Sequence, residues 1–240
     1  MRVAVLSDVH ANLEALEAVL GDARDHQCTH YVCLGDVVGY NANPRECLNI
    51  VREQAWPSVK GNHDEQASLA QPAADFNEWA EQAILWTRQQ LSETDRAWLH
   101  DLPIQLQVDD FTIVHATLNA PGEWGYVFTP SDATVSFKHQ QTAICFFGHT
   151  HVQGAFLCDG SAKEISTHMI RIESGKKYFV NAGSVGQPRD GDWRAAYCIF
   201  RSDENLIEQR RVPYDVEQAR KKVIRAGLPR LLAERLAIGR

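Results

Sequence analysis

Arg2-Val3-Ala4-Val5-Leu6-Ser7-Asp8-Val9-His10 is an apolar run of strand length that stops at a carboxylate and an imidazole one residue apart. An uninterrupted run of this kind reads as a strand buried on both faces. Side chains placed just beyond such a strand lie where open α/β sheets form their sites, in the loops past the carboxyl ends. The pattern recurs along the chain. Tyr31 to Leu34 leads into Gly35-Asp36, and Pro57 to Lys60, read as a short third strand, leads into Gly61-Asn62-His63-Asp64. Phe111 to Val114 ends at His115, and Phe146-Phe147-Gly148 leads into His149-Thr150-His151. Each of these apolar runs ends in Asp, Asn or His, so the polar groups are expected to converge on one crevice.

Outward from these runs, the first half alternates strands with helices. Apolar residues at 13, 16 and 20 give Leu13 to Arg24 a helical spacing. Pro44 suits the first turn of a helix running to Gln54. Phe76 to Leu91 reads as a longer helix, and Ser92 with Asp95 three residues on is a variant capping box that opens another. Past Pro103 strands dominate. Ile104 to Val108 and Phe111 to Ala116 flank Asp109-Asp110 as a hairpin, and Ala143 to Phe147 is strongly strand-like. Further strands are expected near 154–158, 168–172, 177–181, 194–201 and 205–212, with helices from about Asp215 and Pro229 closing the chain. Two sheets face to face with helices outside would bury both sets. The prediction is a four-layer α/β/β/α sandwich of two mixed sheets flanked by helices.

The chain has 240 residues, a length one continuous core can serve, so a single domain over 1–240 is expected, with the C-terminal helices (about 215–240) docked on it. It carries 24 Lys and Arg against 31 Asp and Glu, a net charge of -7. That balance argues against a general binder of nucleic acid, so any phosphate chemistry needs a local positive charge, such as a metal ion. The run Val3 to Leu6 is too short for a signal peptide, and no stretch approaches a membrane span. The six cysteines form no CxxC pair, and Cys33, Cys145 and Cys198 lie in apolar runs. A reducing cytoplasm is expected.

Carboxylate, amide oxygen and imidazole together suit zinc, manganese, iron or nickel, and the lack of thiolate argues against a purely structural zinc site. The ordered set Asp8-x-His10, Gly35-Asp36, Gly61-Asn62-His63-Asp64, His115 after a strand and Gly148-His149-x-His151 resembles the calcineurin-like metallophosphoesterase family, in particular its small bacterial phosphodiesterase-like members. Asn181-Ala182-Gly183-Ser184 resembles a further loop of those members. Two departures stand out. Ala116 follows the lone histidine where the family often has glycine, and Gly35-Asp36-Val37-Val38-Gly39-Tyr40 lacks the arginine of the Ser/Thr protein phosphatases, which argues against that activity.

The resemblance implies one domain of this family and two divalent transition-metal ions, manganese, iron, zinc or nickel. Asp8, His10, Asp36 and His151 would hold one ion. Asp36, Asn62, His115 and His149 would hold the other, with Asp36 as the bridge and the ions ~3.5–4 Å apart. The implied activity is hydrolysis of phosphodiesters or phosphomonoesters, nucleotides among them, by a hydroxide bridging the ions. His63 would donate a proton to the leaving oxygen or stabilise the phosphoryl group, and Asp64 would orient the His63 ring. The competing reading is a non-catalytic interaction scaffold, since a retromer subunit has this fold with a degraded site. The intact His63 favours the enzyme.

His26, His30, His100, His139 and His168 belong to no motif and read as surface or structural. Tyr40 and Asn41, just past Asp36, are either walls of a substrate cleft or ordinary loop residues. Ser184 to Arg194, with Gln187, Arg189 and Asp190, either borders the site or is a polar turn, the structural reading being favoured there. From Arg220 onward seven Lys or Arg face the single Glu234, while Val223, Ile224, Leu228, Leu231, Leu232 and Leu236 recur at near-helical spacing. That segment reads as docked amphipathic helix with a solvated basic face.

Overall fold

Alternating burial along the strands divides the molecule into layers. In β1 (Arg2–Leu6), Val3 and Val5 join one cluster of buried side chains while Ala4 and Leu6 join another, as period-two geometry requires of a strand covered on both faces. The computed structural model describes residues 1–70 and 76–240. The first sheet has the order β2 (His30–Cys33), β1, β10 (Ala195–Arg201), β11 (Leu206–Val212), β8 (Met169–Arg171). Only β1 and β2 run parallel in it. The second has the order β3 (Gln105–Val108), β4 (Phe111–Val114), β5 (Ile144–Phe147), β9 (Lys177–Asn181), β6 (Gly154–Asp159), β7 (Ser161–Glu164). Here β4, β5 and β9 are parallel, and the β3–β4 pair is the expected hairpin across Asp109-Asp110. Both sheets are therefore mixed.

Three cores fill the spaces between four layers. Val3, Val5, Phe111, Phe146, Tyr178 and Phe200 pack between the sheets. On the outer face of the second sheet, Cys145, Phe147 and Phe179 meet Phe137 of α6 (Pro130–His139). On the outer face of the first sheet, Ala4, Leu6, Tyr197 and Ile199 meet α1 (Leu13–Asp25), α2 (Pro44–Glu53) and α4 (Glu78–Gln90). The last two helices, α7 (Val216–Arg225) and α8 (Arg230–Ile238), pack into that same core through Val223, Leu232 and Leu236. Each fully buried leucine of this kind contributes roughly 1.5–3 kcal/mol. The arrangement is the two-sheet sandwich with flanking helices that the patterning predicts.

Local chemistry sets the helix starts. Asn12 Oδ1 accepts from Ala15 N at 3.2 Å, capping α1. At the start of α5 (Glu93–Asp101), Asp95 N donates to Ser92 Oγ and Ser92 N donates to Asp95 Oδ2, the reciprocal box read from the sequence.

The structure differs at four places. Pro57 to Lys60 makes no strand: Cys33 N donates to Pro57 O and Val59 N to Cys33 O, both at 3.0 Å, a single parallel bridge at Ser58, and then Lys60 N turns to Pro103 O at 2.8 Å and the ladder stops. Asn62 instead opens a short helix, α3 (Asn62–Ser68). The helix α6 and the edge strand β7 were not expected. None of the six cysteines forms a disulfide: five are buried and Cys158 is half-buried. Among the described residues no helix is long and apolar enough to cross a membrane.

Candidate metal centre

Because β1 and β2 are parallel, as are β4 and β5, their carboxyl ends lie at one end of the sandwich. The first sheet delivers Asp8, His10 and Asp36 there, and the second delivers His115, His149 and His151. The loops are bound to one another: Asp8 N donates to Gly35 O, His10 N to Asp36 O, and Gly148 N to His115 O, all at 2.9–3.0 Å. Asp8, His10, Asp36, His149 and His151 all have left-handed φ, between 46° and 65°. That region costs a non-glycine residue of the order of 1 kcal/mol or more, and such strain gathers at functional sites. Asn62 arrives differently, from the first turn of α3, where His63 N donates to Asp36 Oδ1 at 2.8 Å.

The side chains form tight groups of possible ligand atoms: Asp8, His10 and His151; Asp36, His115 and His149; and His10, Asp36 and His63. All of them are buried. His10 Nδ1 donates to Val38 O at 3.1 Å, His151 Nδ1 to Gln187 O at 2.6 Å, and His115 Nδ1 to Leu34 O at 2.8 Å. A carbonyl only accepts, so each Nδ1 carries the proton, and in a neutral ring Nε2 is left as a lone pair. Yet His10 Nε2 lies 3.1 Å from His151 Nε2, and His151 Nε2 lies 3.2 Å from Asp8 Oδ1. Asp36 Oδ2 lies 3.3 Å from His115 Nε2, which is 3.2 Å from His149 Nδ1. Asp8 Oδ1 and Asn62 Oδ1 are buried without a hydrogen bond among the described residues. Acceptors crowded this closely repel one another unless a cation lies among them, either a metal ion or, at His115, the ring proton that Asp36 favours. Backbone carbonyls behind the imidazoles fix ring orientation, as they do for metal-ligating histidines. The donor set therefore fits divalent metal.

Electrostatics divide the histidines. Burial disfavours a charged ring at His151, the nearby Arg189 charge adds to it, and the pKa falls to about 3. Burial and the charge on His115 together bring His149 down to about 4. Burial also opposes charge on His115, but Asp36 and Asp8 outweigh it and raise the pKa to about 9. His63 is pushed well below its ordinary value by burial, against the pull of Asp36.

Bracing comes from residues the motifs only partly announce. Asn181 Nδ2 donates to Gly148 O and Thr150 Oγ1, both at 2.9 Å, and Ser184 Oγ donates to Asp8 O at 2.8 Å. Asn41 Nδ2 holds His10 O at 2.8 Å. Asp64 does not orient the His63 ring as the resemblance implied. Its carboxylate accepts from Val38 N and Gly61 N, both at 3.2 Å, which ties α3 to the Asp36 loop. The His63 ring stacks instead on Phe76, with centroids 4.7 Å apart.

The cleft beside the cluster takes one of the two alternatives open for Tyr40 and Arg189 and adds a wall the sequence did not announce. Tyr40 lines it, and the Arg189 guanidinium lies 5.5 Å above the Tyr40 ring. Arg235 of α8 also lines it, so one charge assigned to a solvated helix face points inward. No local signal marks Arg235, because its position depends on how α8 docks.

The profile of the calcineurin-like phosphoesterase superfamily domain matches residues 1–205. An uncharacterised protein of Methanocaldococcus jannaschii is 38% identical over 243 aligned residues, covering 99% of this chain and 98% of that protein. The crystal structure of a metallophosphoesterase from Sphaerobacter thermophilus superposes with a TM-score of 0.89 at 38% identity, covering 100% of this chain and 99% of that one. A hypothetical protein of Pyrococcus horikoshii shares the fold, with a TM-score of 0.82 at 18% identity and coverage of 100% and 98%. With the profile running from β1 past His151 and the relatedness extending along the whole chain, this protein belongs to the calcineurin-like phosphoesterase superfamily.

Proposed function

We propose that the chain is a two-metal hydrolase of small phosphate esters, diesters or monoesters, with nucleotides among its substrates. Asp8, His10, Asp36 and His151 would hold one divalent transition-metal ion, and Asp36, Asn62, His115 and His149 the other, with manganese, iron, zinc and nickel all suited to the donors. The observation that carries this reading is the crowding of buried acceptor atoms, with Asp8 Oδ1 and two imidazole Nε2 atoms within 3.1–3.7 Å of one another. Ions bound there supply Lewis acidity toward phosphoryl oxygens and a source of hydroxide at neutral pH. Two divalent ions against two carboxylates leave a local charge of about +2, which lets a protein of net charge -7 attract a phosphate ester.

The chain's own groups do the rest. His63 lines the cleft beside Asp36, and burial keeps its ring neutral, so it offers one N–H to the leaving oxygen or to a phosphoryl oxygen as charge builds. Asp64 acts as a positioning residue, holding the loop from which His63 projects. Six free thiols fit a cytoplasmic protein.

Hydrolysis of bis(p-nitrophenyl) phosphate and p-nitrophenyl phosphate with added manganese, with Asp36→Asn as control, tests the proposal. Turnover lost in the variant supports it, and the faster of the two esters identifies the preferred class. No turnover of either by folded, metal-loaded protein would overturn it in favour of an interaction scaffold.

A further inference from the structure

The metal cluster opens into a cleft of two lobes with opposite electrostatic character. One lobe, about 170 Å³, is bounded by Asp36, His63 and Tyr40 and by the guanidinium groups of Arg189 and Arg235. The other, about 420 Å³, presents the rings of Phe76, Trp124 and Tyr126 and the carboxylates of Glu65 and Glu123. Asn62, His149, Phe76 and Tyr126 line both, so the cluster and these two rings sit between the lobes, and Trp124 with the two glutamates belongs to the larger lobe alone.

Both arginines turn donors toward the lobe, and Arg189 has no carboxylate partner among the described residues. Arg189 Nη2 donates to Gln187 Oε1 at 2.9 Å, and its Nε is buried without an acceptor among the described residues. Arg235 Nε donates to Arg240 O at 2.7 Å. The Gln187 amide carries no charge to offset the Arg189 guanidinium. Burial and the neighbouring Arg189 charge both weigh against the charge of Arg235. Like charges held together in a half-buried lobe are relieved by an anion, and a guanidinium matches phosphate oxygens with two parallel N–H donors. Arg235 lies beyond residues 1–205, so this wall of the cleft is added by the C-terminal helices to the part matched by the family profile.

We infer that Arg189 and Arg235 form an anion subsite for a second phosphoryl group next to the scissile one, with the organic end of the ester in the aromatic lobe. This rests on the phosphoesterase reading and assigns its substrate class: esters with two linked phosphoryl groups. Glu65 and Glu123 set the direction, since they would repel the anionic end from the other lobe.

Binding of methylenediphosphonate and of methylphosphonate to the manganese-loaded protein, measured by calorimetry, tests the subsite without turnover. Metal content is checked in the same samples. Wild type is expected to prefer the two-phosphonate ligand. That preference should fall roughly tenfold in Arg235→Gln and in Arg189→Gln, and Arg235→Lys should retain part of it. Arg235→Met keeps the packing of the stem and gives the same reading if the glutamine variant fails to fold. A preference unchanged across the arginine variants overturns the subsite. If Asp36-dependent turnover of bis(p-nitrophenyl) phosphate is nevertheless present, the phosphoesterase reading stands without the subsite. Arginine-dependent binding with no such turnover supports the subsite and removes the hydrolase reading.

Discussion

At Gly148 the backbone passes so close to Ser7 and Asp8 that a Cβ would collide with the Ser7 hydroxyl and the Asp8 carboxylate. That close approach lets His149 N donate to Asp8 Oδ2 at 3.0 Å and turns Oδ1 toward His151. Gly148→Ala is expected to weaken metal binding roughly 10–100-fold while circular dichroism stays native, because it displaces a proposed ligand rather than a core side chain. Metal titration of the folded variant checks this, and unchanged affinity would contradict it. His63→Ala is expected to lower kcat roughly 10²–10⁴-fold with metal content retained. Loss of metal in that variant would make His63 a ligand, a role its place beside His10 and Asp36 permits. The proposed ligand residues are legible in sequence because each follows an apolar run at short range. Arg235 is not, because only tertiary docking brings it to the cleft.

Among the elements, Asp22 ties α1 to the first sheet. Its carboxylate accepts two bonds from Arg210 of β11, at 2.7 and 2.9 Å, and one from the Tyr197 hydroxyl of β10 at 2.5 Å. Burial alone would raise its pKa, but Arg210 and Tyr197 outweigh burial and hold it below the ordinary value. Its contribution is therefore complete above the unfolded carboxylate pKa and is lost as pH falls through the lower folded value. Asp22→Asn should cost roughly 1–3 kcal/mol at neutral pH, with the deficit shrinking below about pH 4. Urea denaturation at several pH values measures this, and a deficit independent of pH would contradict the pairing. Elements with a clear period were legible, β1 and α1 above all. The polar segment Asn62–Ser68 becomes helical only where its first turn faces Asp36, and Ser161–Glu164 becomes a strand only by pairing with β6. Thr129 with Asp132 does form a capping box at the start of α6, a signal present in the sequence but not used.

Across the whole molecule, the proposed ligands span the seam between the sheets, with Asp8, His10 and Asp36 from one and His115, His149 and His151 from the other. Metal binding is thus expected to stabilise both sheets together. Manganese at a hundredfold excess over its Kd should add about 2.7 kcal/mol per site. That corresponds to a rise in Tm of roughly 5–10 °C for each site filled. A melting curve indifferent to manganese would contradict this. The layering was legible because strands buried on both faces demand a cover on each side, and all three cores follow from that demand. The shape of the cleft was not, since it depends on where α8 and the loop carrying Tyr126 come to rest.

The number of ions held by one folded chain tests the central claim most directly. Elemental analysis after manganese loading and removal of free metal is predicted to find two per chain in wild type, falling to one or none in Asp36→Asn. Wild-type protein that holds no manganese, or an Asp36→Asn variant that holds as much as wild type, would contradict the account.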